Sequence, residues 1–245
     1  MKEIKLYKSL EDDIGCVQLV QHMGSDKTIV NAARVSFGVE KENINERDKK
    51  LIKYLIDHQH TSTLEHNIIT FKFCVPMFVR SQHMRHRTWS YNEISRRYTD
   101  KDIQFYCPVY FRTQHKSNRQ ASNQNANINP EIYGTTSSNF IKDHCQASLE
   151  AYNDLLSKGV CREQARMILP QNLYTEYYGT TNLSNLYKFI HLRLHEGAQW
   201  EIQQVAKACL SFAEYLWPTP TNHFKEKNNL NYNFIEDWKV QSTGT

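Results

Sequence analysis

Between Arg80 and Arg97 the chain carries five arginines and one carboxylate, Glu93. The densest part is Arg85-His86-Arg87-Thr88-Trp89-Ser90-Tyr91-Asn92-Glu93-Ile94-Ser95-Arg96-Arg97-Tyr98, which is polar, crowded with donors and nearly free of aliphatic residues. A planar guanidinium makes paired, charge-assisted hydrogen bonds to phosphate. The serine hydroxyls add donors, and Glu93 and Asn92 can accept from ribose hydroxyls or base N–H groups. Any one of these arginines alone would sooner be a solvated surface residue. As a spaced set they suit a small anionic ligand of the nucleotide kind.

Nine positions of this segment, Arg85, His86, Arg87, Ser90, Asn92, Glu93, Ser95, Arg97 and Tyr98, fit the pattern R-H-R-x-x-S-x-N-E-x-S-x-R-Y. The segment thereby resembles the signature of flavin-dependent thymidylate synthases. Four more stretches resemble the same family. His58-Gln59-His60-Thr61-Ser62-Thr63-Leu64-Glu65-His66 is similar to H-x-H-x-[TS]-x-x-E-H, and Ala32-Ala33-Arg34-Val35-Ser36-Phe37 to A-A-R-V-S-[FY]. Arg162 to Pro170 is similar to R-E-x-A-R-x-x-L-P, and Leu192-Arg193 followed by Ala198-Gln199-Trp200-Glu201-Ile202 to L-R…A-Q-x-E-I. The likeness runs from Ile29 to Trp217.

The resemblance implies an enzyme that makes dTMP from dUMP. The carbon comes from 5,10-methylenetetrahydrofolate and the hydride from FAD reduced by NADPH. It implies dUMP contacts at Gln82, Arg85, Glu93, Ser95, Arg96, Arg97, Arg166 and Arg193. Arg97 and Arg166 would take the phosphate. Arg193 would be catalytic, beside the uracil, because a fixed guanidinium stabilises negative charge on the ring. FAD contacts are implied at Ser62, Arg85, His86, Arg87, Glu93 and Asn182, with His60 near the flavin on the folate or NADPH side. Ser184 and Lys188 depart from the family pattern and carry no role over. Arg96 stands where a small residue is frequent, so only its backbone contact transfers. The family's homotetramer, with FAD sites between subunits, is implied as well. No metal is expected.

Such a site needs a rigid scaffold. Asn67 to Val75, rich in β-branched and aromatic residues, reads as the clearest strand. Pro76 reads as the first residue of a helix running to about Arg87. Ile4 to Tyr7 reads as a short strand, and Gly15 to His22 fits helix and strand equally. Ser25 and Asn45 read as N-caps of helices through Val35 and His58. Asn129-Pro130 reads as the start of a long helix ending near Gly159, and further helices are expected at Arg162 to Leu169, Leu183 to Leu194 and Gln199 to Trp217. Pro218 and Pro220 are expected to stop the last one. The stretch Thr113 to Asn129, full of Asn, Gln and Ser, reads as a surface loop or insertion. With the resemblance this gives an α+β fold, a mostly antiparallel central sheet flanked by long helices. Residues 1–220 form one catalytic unit containing the 113–129 loop, and 221–245 a polar tail with Trp238 as a docking residue.

The chain has 245 residues, 40% hydrophobic and 23% charged, with a net charge of +4. That is ordinary globular usage and too mild a charge to point by itself to nucleic acid. The start, MKEIKLYKSLEDD, has no apolar stretch, so a soluble cytoplasmic protein without a membrane partner is expected. The six cysteines are scattered, as expected of reduced, mostly buried thiols. Two alternatives draw on other residues. His58, His60, His66, His83 and His86 have spacings open to zinc, and the arginines interleaved with Trp89, Tyr91 and Tyr98 could suit a single-stranded nucleic acid.

Overall fold

Ile69, Phe71, Phe73 and Val75 alternate along one strand, and all four are fully buried. Such a strand must lie mid-sheet with a layer of helices on that face. The computed structural model describes residues 3–8, 10, 12–230 and 239–242. Six strands form the main sheet: β1 (Glu3–Lys8), β2 (Cys16–Met23), β3 (Ile68–Pro76), β4 (Ser90–Glu93), β9 (Tyr174–Asn182) and β10 (Lys239–Ser242). They run in the order β10-β1-β2-β3-β9-β4, and every neighbouring pair is antiparallel. Two small hairpins join them, β5 (Phe111–Gln114) with β6 (Ser122–Ile128) and β7 (Glu131–Ile132) with β8 (Thr135–Thr136). The α+β fold with an antiparallel sheet is therefore as expected.

Eight α-helices lie among the described residues: α1 (Asp26–Arg34), α2 (Glu46–Asp57), α3 (Met77–His83), α4 (Ser137–Ser157), α5 (Arg162–Ala165), α6 (Leu183–Arg193), α7 (Trp200–Leu216) and α8 (Pro218–Lys227). The core is built by β3 with α6 and α7. Leu183, Leu186, Phe189 and Ile190 of α6 meet Ile202, Val205, Cys209 and Phe212 of α7 beneath the sheet. Truncating a fully buried ring such as Phe71 or Phe73 to Ala would cost about 3–5 kcal/mol. No helix is long and apolar enough to cross a membrane among the described residues.

Local chemistry explains the elements that the sequence marks. Asn45 accepts from the Arg47 and Asp48 amides and caps α2. Ser25 and Thr28 form the capping box of α1. Arg34, from the N-terminal motif, binds the buried Asp48 carboxylate at 2.6 Å, and Lys41 binds its other oxygen at 2.7 Å. That arginine locks α1 to α2. Its role is structural.

Several expectations are corrected. Thr113 to Asn129 is largely a hairpin, tied down by Arg112, which donates to Ser122 Oγ at 3.1 Å and to Glu201 at 2.6 Å. Its ladder is satisfied by backbone pairing, so polar side chains on both faces conceal it. The long helix begins at Ser137 with Thr136 as cap. Pro130 leads into the β7–β8 hairpin, and Asn129 reaches across it to accept from the Ser138 amide at 3.0 Å. Helix α3 ends at His83, short of Arg87, and Pro76 is its N-cap. The helix expected over Arg162 to Leu169 is one turn of α-helix followed by a 3-10 turn, Arg166–Ile168. Pro218 ends α7 but also starts α8, since the first helical position needs no N–H. Thr221, Phe224 and Lys225 are buried there, so the polar tail begins later than residue 221. Gly15 to His22 resolves mainly into β2. Trp238 lies outside the described residues. All six cysteines are free; Cys145 and Cys209 are buried, Cys161 is exposed and the other three lie between.

Candidate active site

The signature segment folds as a turn, the short strand β4 and a loop, and each part hangs on the sheet. Trp89 packs beside Phe71 and Phe73. A Cβ on Gly179 of β9 would come within 2.8 Å of the Phe73 ring and 3.3 Å of Trp89, so only glycine admits the indole there. Strand β4 pairs with β9 from Ser90↔Thr180 to Glu93↔Tyr177. This pairing fixes Glu93, whose carboxylate accepts from Arg80 Nε at 2.9 Å and from Thr175 Oγ1 at 2.7 Å.

Beyond Glu93 lies a cleft of about 470 Å³. It is lined by Glu93, Ser95, Arg96 and Arg97 on one side and by Arg166, Met167 and Leu169 on the other, with Arg80 and Thr175 at its base. Five of the residues expected to contact the nucleotide thus meet from two distant parts of the chain. Their side chains are differently engaged. Arg96 is spent on the carbonyls of Lys101, at 2.6 Å, and Asp102, at 3.4 Å, so its guanidinium folds the loop. Ser95 Oγ accepts from the backbone and Nε of Arg97 at 3.3 and 3.4 Å. Arg97 and Arg166 are exposed, and Arg166 Nε donates to the Glu163 carbonyl at 3.3 Å. Arg162 pairs with Asp100 at 2.6 Å and ties the two walls together.

Gln82, His86 and Arg193 form a second cluster. Arg193, at the end of α6, donates from Nε to His86 Nε2 at 3.1 Å and from Nη2 to the Gln82 carbonyl at 2.9 Å. The Gln82 amide bonds to Gln199 of the A-Q-W-E-I motif. Burial, and then the Arg193 charge, lower the His86 pKa to about 4. Burial lowers that of Arg193 as well. Arg85 and Arg87, flanking His86, are exposed and do not line the cleft.

The residues expected to hold FAD are divided: Glu93 lines the cleft, His86 belongs to the Arg193 cluster, and Ser62 and Asn182 lie beside a third surface. Ser62 sits in a 3-10 turn, Thr61–Leu64, and Asn182 caps α6 by accepting from the Asn185 amide at 2.9 Å. The turn and α6 face each other across a hollow of about 260 Å³ lined by Thr61, Leu64, Ser184, Lys188, His191 and Lys227. Ser184 lines this hollow, and its Oγ is buried without a hydrogen-bond partner among the described residues. Lys188 and Lys227 bring two cations to the hollow, Lys188 donating to Asn185 Oδ1 at 3.2 Å and Lys227 to the Ile56 carbonyl at 3.2 Å. His60 is exposed and lies edge-on to Tyr54, with ring centroids 6.1 Å apart, away from the nucleotide cleft.

Sequence reasoning gave no role in the enzyme site to Arg80, Thr175, Gln199 or Tyr91. Arg80 and Thr175 gain meaning only from the β4–β9 pairing, and β9 itself was not read as a strand. Its core-facing residues are Thr175, Tyr177, Gly179 and Thr181, without one aliphatic, although its Tyr and Thr content is a strand signal.

The family described as Thy1, thymidylate synthase complementing protein, matches residues 18–219. A flavin-dependent thymidylate synthase of Thermus thermophilus is 44% identical over 214 residues, covering 87% of this chain and 77% of that protein. The chain belongs to the flavin-dependent thymidylate synthase family. A further family member, from Borreliella burgdorferi, is 35% identical over 229 residues, with 90% and 83% coverage. The structure is also similar to a UMP/dUMP methylase from Streptomyces cacaoi bound with 5-Br dUMP, at a TM-score of 0.73, 31% identity, and coverage of 86% and 94%. Family membership displaces the zinc alternative. Among the described residues no three His, Cys, Asp or Glu side chains gather to hold a metal.

Proposed function

We propose that this enzyme converts dUMP to dTMP in the cleft between β4 and the Arg166 turn, taking the carbon of 5,10-methylenetetrahydrofolate. The observation that carries the reading is the meeting of Arg97 and Arg166, two exposed cations from separate segments, over Ser95 and Glu93. Two convergent guanidinium groups suit a phosphate monoester. Glu93, oriented by Arg80 and Thr175, keeps lone pairs for the sugar or base. Arg193, drawn partly out of water, offers a fixed positive charge to the uracil as negative charge develops on it.

Ser62, Asn182, Arg85, His86, Arg87 and Glu93 would hold FAD, which once reduced by NADPH would serve as the hydride source. Arg85 and Arg87 are exposed and do not line the cleft of their own chain, which suits a homotetramer whose sites lie between subunits. The residues themselves bind, orient and hold charge. No side chain need attack the pyrimidine. Cys107 has its pKa pushed up to about 11 by burial and by Cys145, so it is a poor nucleophile at neutral pH.

Direct binding tests the site. Calorimetry with dUMP should give a complex that weakens on Arg166→Ala and on Arg97→Ala while each variant keeps its melting temperature. Unchanged dUMP affinity in both would remove the phosphate assignment.

A further inference from the structure

Arg193 is anchored by two acceptors, His86 Nε2 at 3.1 Å and the Gln82 carbonyl at 2.9 Å. A guanidinium has five N–H donors and no acceptor. The His86 Nε2 atom must therefore be unprotonated, and the ring's one proton must sit on Nδ1. We propose that His86 is a positioning residue for Arg193: as the neutral Nδ1–H tautomer it accepts from the guanidinium, sets its plane and leaves the other N–H groups to face the uracil. The inference rests on the reading of Arg193 given above, and it goes beyond the contact with FAD that the family resemblance implies for His86.

The surroundings of His86 support this role. Its turn is closed from β4, where the Tyr91 hydroxyl proton is shared between the His83 carbonyl at 2.9 Å and the His86 carbonyl at 3.1 Å. Behind it, from α3, stands the fully buried His83, 6.3 Å away between ring centroids and bonded through Nδ1 to the Tyr177 hydroxyl at 2.8 Å. Burial drives the His83 pKa far down, so that ring is neutral. From α6, Phe189 packs edge-on against His86 at 5.0 Å, and Arg193 brings a positive charge. Arg85 and Arg87 flank it in the chain. Burial and the Arg193 charge both oppose a second proton on His86. The sign follows: a histidine with a lowered folded pKa stays neutral, with its contact intact, from ordinary pH down to about 5, and loses it as the pH falls through about 4.

The test is nitrogen-15 NMR of the imidazoles in the FAD-loaded enzyme, with His86 assigned by the signals lost in His86→Gln. The expected spectrum has His86 Nδ1 protonated and Nε2 bare, unchanged between pH 8 and 6. A proton on Nε2, or a titration near the ordinary histidine pKa of about 6.5, overturns the proposal. Kinetics supply the second arm. His86→Leu removes the acceptor and should lower kcat by roughly 10–100-fold at saturating FAD. His86→Gln restores an acceptor near the Nε2 position and should recover most of that. In an Arg193→Ala background the Leu change should cost almost nothing more. Full additivity of the two changes overturns the proposal. Flavin uptake is followed separately by visible titration of each protein. A wild type that binds no FAD would sink the functional reading, while the imidazole spectrum of the protein as purified would still decide the tautomer.

Discussion

The nucleotide cleft and the Arg193 cluster both depend on arginine, but the protein treats the two sets differently. Arg97 and Arg166 are exposed, sit on a loop and a 3-10 turn, and among the described residues hold only local hydrogen bonds. Arg193 leaves a helix whose inner face is fully buried, is itself drawn partly out of water, and is fixed by an imidazole and a carbonyl. Exposed, loosely held cations suit capture of an anion that must also leave. A partly desolvated, doubly anchored cation suits charge that appears only during the reaction, because its orientation is paid for before the ligand arrives.

That contrast can be broken by substitution. Arg193→Ala should have the largest effect, a fall of about 10²–10³ in kcat with FAD still bound, measured by steady-state dTMP formation. A variant with normal kcat and only a raised KM would put Arg193 in the same class as the cleft arginines. Arg166→Ala should instead raise KM for dUMP by about 30-fold, the loss of a charge-assisted bond of about 2 kcal/mol, with kcat little changed. A matching drop in kcat would erase the distinction. Thr175→Val removes one hydrogen bond to Glu93 and should raise KM about fivefold, about 1 kcal/mol. No change there would mean that Arg80 alone orients the carboxylate. Cys107→Ala should be the mildest, with dTMP formation within about twofold of wild type, since a thiol with its pKa raised carries no step. Loss of activity with an intact flavin spectrum would bring a thiol nucleophile back.

The same contrast marks what could be read in the sequence. The cleft residues Glu93, Ser95, Arg96, Arg97 and Arg166 stand in two contiguous motifs, and the family resemblance of those motifs pointed to them. Helices α1 and α2 were legible because Ser25 and Asn45 cap them locally. The supports of the site were hidden because they are tertiary. Arg80 and Thr175 become partners of Glu93 only when β4 pairs with β9, and β9 buries tyrosine, threonine and glycine where an aliphatic stripe would have been noticed. Tyr91 occupies a variable place in the signature, yet its hydroxyl closes the turn that presents His86. The β5–β6 hairpin went unread for the opposite reason: both its faces are polar, and periodicity has nothing to mark.

The most direct test of the account is a single turnover. The enzyme is loaded with FAD, reduced with NADPH under anaerobic conditions, freed of excess reductant and mixed with dUMP and 5,10-methylenetetrahydrofolate. Flavin reoxidation and dTMP are then measured together. The expected result is return of the oxidised flavin bands with dTMP formed in equimolar amount. Reduced flavin that persists without dTMP, or a protein that takes up no FAD at all, would contradict it.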